Sequence, residues 1–365
     1  MRKIIFKNII LLTTTIIMFF VLLETGMRII AFFSPQFLCE TFSDPSDSIL
    51  CQLEPRLSES IKNYNQTTGV NNQNICDKWD SELGWIPKPN CRTPVYSTNS
   101  KGFRGTQEYF LEKDKKIKTR IIVLGDSFTW GENNFDNETY PFYLSKLYNE
   151  NVDVINMGVH GYGPDQFYLY YIREGVKYKP DIVVFGLFLP DIHRTIFRMR
   201  DYFKPRFIII NGDLMLDKDS SYIPDIPIAL KMSSEIKKKS RSYAFSYFYE
   251  LFSKAQRRYT SYKYEASLTL KIIDELNKQL KEHKTRLIVL LIPEQEMIEK
   301  NNDDYYGAIP QITEHLEKEN IEYINLQSLL KKEYQATGQS LYMGHLKPIR
   351  NIFVAQELFK YLNNN

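Results

Sequence analysis

Five short runs of aliphatic and β-branched residues constrain this chain more than any other feature: Thr119–Leu124, Val152–Asn156, Ile182–Phe188, Arg286–Ile292 and Ile321–Asn325. Each has the length of a strand and is nearly continuous in apolarity, which marks a strand covered on both faces, as in a parallel sheet. Helical periodicity fills the intervals. Leu268, Ile272, Ile273, Leu276 and Leu280 make one apolar stripe over Tyr264–His283. A last helix opens at Pro348, well placed for a first turn, and is expected to turn Ile349, Ile352, Phe353, Phe359 and Leu362 inward. The alternation predicts an α/β fold, a three-layer α/β/α doubly wound parallel sheet over residues 118–365. Residues 192–263 exceed what a crossover needs and form an insertion. Within it Phe207–Ile210, Asn211-Gly212 and Asp213–Leu216 read as a hairpin with a type I′ turn. Lys231–Lys263 is basic and aromatic, read as a solvated amphipathic helix or as a surface for anionic polymer or lipid headgroups.

The first 33 residues set the compartment. Arg2, Lys3 and Lys7 precede the apolar run Ile9–Leu23, and apolar character resumes at Met27–Phe33 past Glu24 and Arg28. Read from Ile4 to Leu23, the span has about the ~20 residues that a membrane-crossing helix needs. Basic residues on the short N-terminal side place the N-terminus in the cytoplasm and the rest of the chain outside, on the periplasmic side. The alternative is a cleaved signal peptide, but no small-x-small site ends the run, so an uncleaved anchor is expected. Residues 34–117 then read as a turn-rich extension, not an independent domain. Cys39, Cys51, Cys76 and Cys91 all lie in it, and an even set in an exported segment reads as two disulfides of open connectivity.

Composition removes other classes. Forty-seven basic and 44 acidic side chains leave a net charge of +3, no footprint for nucleic acid. No Cys/His spacing suits zinc, and neither a strand–GxGxxG–helix nor a GxxxxGK[ST] loop occurs, so no metal and no cofactor are expected.

Three loops stand where the carboxyl ends of the strands meet, the place where doubly wound sheets bind ligands. They are Gly125-Asp126-Ser127-Phe128-Thr129-Trp130-Gly131, Asn156-Met157-Gly158-Val159-His160-Gly161-Tyr162-Gly163, and Gly344-His345-Leu346-Lys347-Pro348 before the last helix. A serine just past a buried strand can present its hydroxyl and its own N–H to the crevice. A glycine-rich second loop lets another N–H approach, and a neutral imidazole can take the serine proton. Bulky Phe128 and Trp130 set the first loop apart from one that cradles flavin or nucleotide phosphate.

Together these blocks resemble the SGNH (GDSL) hydrolase superfamily of esterases, acyl hydrolases and O-acetyltransferases, over about residues 118–362. Asn99-Ser100-Lys101-Gly102-Phe103-Arg104 is similar to membrane-anchored bacterial members. The resemblance implies Ser127 as nucleophile and His345 as base, with the Ser127 and Gly161 N–H groups binding the oxyanion. It implies a small-molecule or carbohydrate ester as substrate, hydrolysed or transferred through a Ser127 acyl-enzyme that either water or a sugar hydroxyl can resolve. Two positions depart from the family. Pro190, in Leu189-Pro190-Asp191, stands where a third oxyanion donor, an Asn, is found, and proline has no N–H. Tyr342 stands where an Asp three residues before the histidine orients the imidazole. A catalytically degraded domain that binds glycan or a membrane partner is therefore the second reading. Asp126 is expected to brace its loop by accepting backbone hydrogen bonds, and Asp191 is a candidate replacement orienter or substrate contact. Trp130 and Tyr162 either line the pocket or pack, and His160 and His193 read as loop structure.

Overall fold

The computed structural model describes residues 2–33, 76–149, 151–198, 202–218, 243–300 and 308–364, with residues 200, 223 and 228. Its helices are α1 Arg2–Phe33, α2 Ser127–Trp130, α3 Tyr140–Leu147, α4 Pro164–Arg173, α5 Tyr243–Glu282, α6 Gln295–Glu299, α7 Ala308–Lys318, α8 Leu326–Thr337 and α9 Pro348–Asn364. Its strands are β1 Asp77–Asp80, β2 Gly84–Pro87, β3 Thr119–Gly125, β4 Val152–Gly158, β5 Ile182–Phe188, β6 Phe207–Ile210, β7 Asp213–Leu216, β8 Arg286–Ile292, β9 Glu322–Asn325, β10 Tyr342–Met343 and β11 His345–Leu346. Residues 1–65, 199–202 and 224–260 form one compact unit, and residues 66–198, 203–223 and 261–365 form another.

The second unit is built on a five-stranded sheet of order β4-β3-β5-β8-β9, parallel at every pair. All five expected strands are present. Ile121–Leu124 of β3 and Ile288–Ile292 of β8 are fully buried, because helices cover both faces of the sheet. The chain leaves β3 toward β4 on one side and later returns to β5 on the other. The crevice of a doubly wound sheet opens at that reversal, above the ends of β3 and β5.

Leu268, Ile272, Ile273, Leu276 and Leu280 are all fully buried, as their spacing requires. The last helix departs from expectation. Asn351, Val354, Ala355 and Leu358 are its buried stripe, at i, i+3, i+4 and i+7, while Ile349 is 57% exposed. Phe353, Phe359 and Leu362 flank the stripe and are partly buried. An apolar residue in the first turn lies beyond the edge of the core, so composition alone misplaces the face. The hairpin pairs Ile210 with Asp213 through Asn211 (φ 53°) and Gly212 (φ 89°), the positive-φ pair of a type I′ turn. In the basic-aromatic segment, Lys231–Arg241 and the side chains up to residue 262 lie outside the described residues.

Before the sheet, β1 and β2 pair antiparallel, and Cys76 is bonded to Cys91. This is one of the two expected disulfides; Cys39 and Cys51 lie outside the described residues. The bond closes a separation of 15 residues, and a loop of that length carries ~3 kcal/mol in the chain-entropy account. Replacing Cys76 and Cys91 with serine is therefore expected to lower the apparent unfolding free energy by about that amount. Denaturant titration of both proteins checks it, and equal midpoints would contradict it.

In the first unit, α1 is one continuous helix of 32 residues. Its stretch Leu11–Ile29 is long and apolar enough to cross a membrane, and runs further toward the C-terminus than Ile4–Leu23. Within it Glu24 and Arg28 form an ion pair at 2.7 Å one turn apart.

Candidate active site

A row of glycines prepares the place for Ser127. Gly158, Gly125 and Gly186 lie side by side across β4, β3 and β5. A Cβ on Gly125 would stand 2.0 Å from Thr129 Oγ1, one on Gly186 2.6 Å from the same atom, and one on Gly158 2.4 Å from the Trp130 backbone N. Helix α2 thus sits directly on the strand ends, with no side chain beneath it. Thr129 Oγ1 shares a hydrogen bond with the buried Tyr140 hydroxyl at 2.7 Å. Burial pushes that phenol well above its ordinary range, so it stays protonated. Asn156 Nδ2 donates to Thr129 O at 2.9 Å. Gly158→Ala is expected to lift α2 off the sheet, with about 1–3 kcal/mol lost to overpacking and a loss of reactivity at Ser127. Thermal unfolding together with covalent labelling of Ser127 measures both; an unchanged protein would show that the seat is not tight.

Asp126 caps α2. Its Oδ1 accepts from Phe128 N at 2.9 Å, as the bracing role requires, and its Oδ2 accepts from Ser127 Oγ at 3.2 Å. Gly131, at φ 83°, ends the helix and donates its N–H to Ser127 O, so the helix is only four residues long. Across the crevice, β10 and β11 form a two-residue ladder that turns at Gly344 (φ 76°). This places His345 Nε2 2.8 Å from Ser127 Oγ, although 218 positions separate the two residues. The Phe128 ring lies 4.9 Å from the imidazole and stacks on Phe188 at 4.0 Å, which confines the histidine on its apolar side.

The other expected residues fall as follows. Gly161 adopts φ 78° in the loop after β4. Among the described residues, neither its N–H nor that of Ser127 is given to a protein acceptor. Pro190 opens the 3₁₀ segment Leu189–Ile196 and offers no donor. Tyr342 points away from the imidazole: its buried hydroxyl donates to Pro293 O at 2.7 Å, and burial raises its ionisation far above the usual range. Asp191 is fully buried and paired with Arg194 at 2.8 Å. Trp130 and Tyr162 are core residues, 1% and 0% exposed. His160 pairs with Asp77 of β1, and His193 with the buried Glu265, so both hold loops in place.

Two residues at the site escaped sequence reasoning. Arg194 Nη1 donates to Tyr162 O at 2.7 Å and lies 2.8 Å from Asp191 and 3.4 Å from Asp126, tying the loops after β3 and β4 to the segment after β5. Its only sequence signal is its place one turn after Asp191. Asn133 Nδ2 stands 3.3 Å from His345 Nδ1 and 3.3 Å from Met343 O. It follows the first block by two residues and carries no signal by itself. The cleft of about 550 Å³ between residues 104–120 and the β4 edge includes neither Ser127 nor His345.

Fold and geometry define a doubly wound α/β protein with a serine–imidazole pair at the carboxyl edge of its sheet. No family model and no curated protein matches the sequence. Solved structures do match. An acetyl xylan esterase, AlAXEase, is 14% identical, with 66% of this chain and 98% of that chain covered and a TM-score of 0.42. A member of the lipolytic protein G-D-S-L family from Veillonella parvula is 15% identical, with 66% and 98% covered and a TM-score of 0.39. A mutant of an acetyl-xylooligosaccharide esterase from Geobacillus Stearmophilus is 13% identical, with 67% and 94% covered and a TM-score of 0.41. At these identities the likeness concerns the fold alone.

Proposed function

We propose that this chain is an SGNH-type serine esterase or O-acyltransferase, anchored by α1 and acting outside the cytoplasm on an ester of envelope carbohydrate. The observation that carries the reading is the 2.8 Å contact between Ser127 Oγ and His345 Nε2, within the reach a nucleophile–base pair requires. Ser127 Oγ attacks the ester carbonyl carbon while its proton passes to His345 Nε2. The Ser127 and Gly161 N–H groups receive the oxyanion, and the intermediate collapses as His345 returns the proton to the leaving alcohol. Water or a sugar hydroxyl then resolves the acyl-serine by the reverse sequence. With Pro190 in place of the family's Asn, two backbone donors carry the oxyanion, one fewer than in the family pattern, and a lost donor typically costs ~10²–10³ in rate.

Reaction of the purified chain with a fluorophosphonate probe, followed by peptide mapping, tests the reading: the adduct is expected on Ser127. A second reading, a non-enzymatic glycan- or partner-binding domain, draws support from Pro190 and from the engagement of Tyr342 with Pro293 O. A protein that takes no label but retains glycan would favour it.

A further inference from the structure

The hairpin of β1 and β2 meets the loop after β4 at one particular peptide. Trp85 Nε1 donates to His160 O at 3.0 Å, and that carbonyl belongs to the peptide unit whose N–H is that of Gly161. The unit is trans, so its carbonyl and its N–H point in opposite directions. With the oxygen turned to the indole, the Gly161 N–H points away from the hairpin. The residues on either side of Gly161 are held as well. The buried Tyr162 hydroxyl donates to Trp85 O, and the two rings meet edge to face at 5.4 Å. His160 Nε2 is paired with Asp77 of β1. The hairpin is itself anchored: Gln166 Nε2 donates to Leu83 O at 2.7 Å, Arg173 pairs with Asp80 at 2.7 Å, and Cys76, beside Asp77, is bonded to Cys91.

We infer that Trp85 is a positioning residue for the reaction at Ser127: its indole N–H holds the His160–Gly161 peptide so that the amide hydrogen is presented to the developing oxyanion. In the acyl-enzyme reading, on which this role rests, Gly161 is one of two backbone donors. The bond to the carbonyl acts on that donor in two ways. It keeps the peptide plane from rotating, so the N–H needs no reorganisation when charge appears on the substrate. It also polarises the amide, because hydrogen bonds in series strengthen one another by about 10–30% per bond. Both effects grow with the charge on the oxygen, so they stabilise the transition state more than the bound neutral ester. Trp85 is 6% exposed and lies 75 positions before His160, in the extension that precedes the sheet. The extension thereby supplies part of the apparatus of a site built on other segments.

The test compares the full chain in detergent with two variants. Trp85→Phe deletes the N–H and keeps an aromatic ring; Arg173→Met cuts the hairpin's tie at Asp80 and leaves the indole bond in place. His160–Gly161 is the one His-Gly pair in the sequence, so ¹³C-carbonyl histidine combined with ¹⁵N-glycine isolates the Gly161 amide in NMR spectra. Its signal is expected to shift in Trp85→Phe and to stay in place in Arg173→Met. With p-nitrophenyl acetate, kcat is expected to fall about 10-fold in Trp85→Phe, part of the ~10²–10³ that a whole donor carries, with KM unchanged. Arg173→Met is expected to keep the parent's kcat even where it lowers the melting temperature. Should Trp85→Phe not fold, 3-benzothienylalanine at position 85, with the indole's shape and no N–H, takes its place. An unmoved Gly161 signal overturns the inference, as does a kcat at the parent's level, a loss that appears in KM instead, or an equal loss in Arg173→Met. A parent chain that neither turns over nor takes a fluorophosphonate, with the Gly161 signal shifting as expected, removes the esterase reading and leaves the hold of Trp85 on the peptide.

Discussion

Ser127→Ala, His345→Ala and the double variant are expected to share one residual rate, at least ~10²-fold below the unmodified chain. A serine and an imidazole in contact at 2.8 Å act as a unit, so removing either removes the proton transfer. Positioned general bases contribute ~10²–10⁴, and residues that act together are grossly non-additive. The residual rate reports the oxyanion donors and substrate binding, which both substitutions leave in place. Neither single change should unfold the protein, because Ser127 packs as a small residue at the head of α2 and His345 lies at the crevice edge, half-buried. Initial rates of p-nitrophenyl acetate hydrolysis for the four proteins settle the matter. Additive losses would mean that the two side chains work in separate steps, and unchanged rates would remove the enzymatic reading.

Lys204→Met is expected to destabilise the second unit strongly, lowering stability by about 3–5 kcal/mol, the cost of leaving one member of a buried ion pair alone. Lys204 and Asp165 are both completely buried and paired with each other. The ammonium also donates to Arg194 O at 3.0 Å, Phe197 O at 3.1 Å and Pro205 O at 3.0 Å. Burial pulls the Lys204 pKa down and the Asp165 pKa up, while their mutual attraction opposes both shifts. Asp165 sits in the first turn of α4, and two of the three carbonyls, those of Arg194 and Phe197, belong to the segment after β5. The pair therefore fastens the segment after β5 to α4. Met alone strands a carboxylate and three carbonyls in the interior. Lys204→Met combined with Asp165→Asn removes the stranded charge and is expected to recover a large part of the loss. At roughly 2–4 °C per kcal/mol for a unit of this size, the single variant should melt roughly 6–20 °C below the parent, and the double variant should lie between them. A single variant that melts within a degree or two of the parent would show that the pair does not form.

The sheet was legible because its strands are covered on both faces. Burial of both sides leaves no room for polar alternation, and Ile121–Leu124 or Leu287–Ile292 then announce themselves as unbroken apolar runs. The inward stripe of Tyr264–His283 was legible for the matching reason, since a one-sided helix must repeat at i, i+3 and i+4. The last helix was harder. Ile349 and Phe353 are apolar yet stand at the margin of the core, and only the position of its edge distinguishes them from Val354 and Leu358. The hairpin at Asn211-Gly212 was readable because two adjacent positive-φ positions admit few residue pairs.

At the candidate site, residue types singled out Ser127 and His345 as candidates, since a serine after a buried strand and a terminal histidine are each unusual where they stand, and the family resemblance implied Gly161 within the glycine-rich loop. Their contact required the parallel order β4-β3-β5, which brings the loops after β3 and β4 to one edge while the β10–β11 turn crosses above. Asn133, Arg194 and Lys204 were invisible because each is an ordinary residue type whose meaning lies in its neighbours. The Asn133 amide matters only because an imidazole nitrogen stands 3.3 Å away. The glycine row shares that limit: Gly125, Gly158 and Gly186 each look like local turns until strand register sets them side by side beneath Thr129 and Trp130. Local physics, hydrophobic burial and backbone freedom, wrote the elements and the reactive residue types into the chain. Proton direction, charge pairing and close approach depend on distances between remote segments, so the tertiary structure alone decided them.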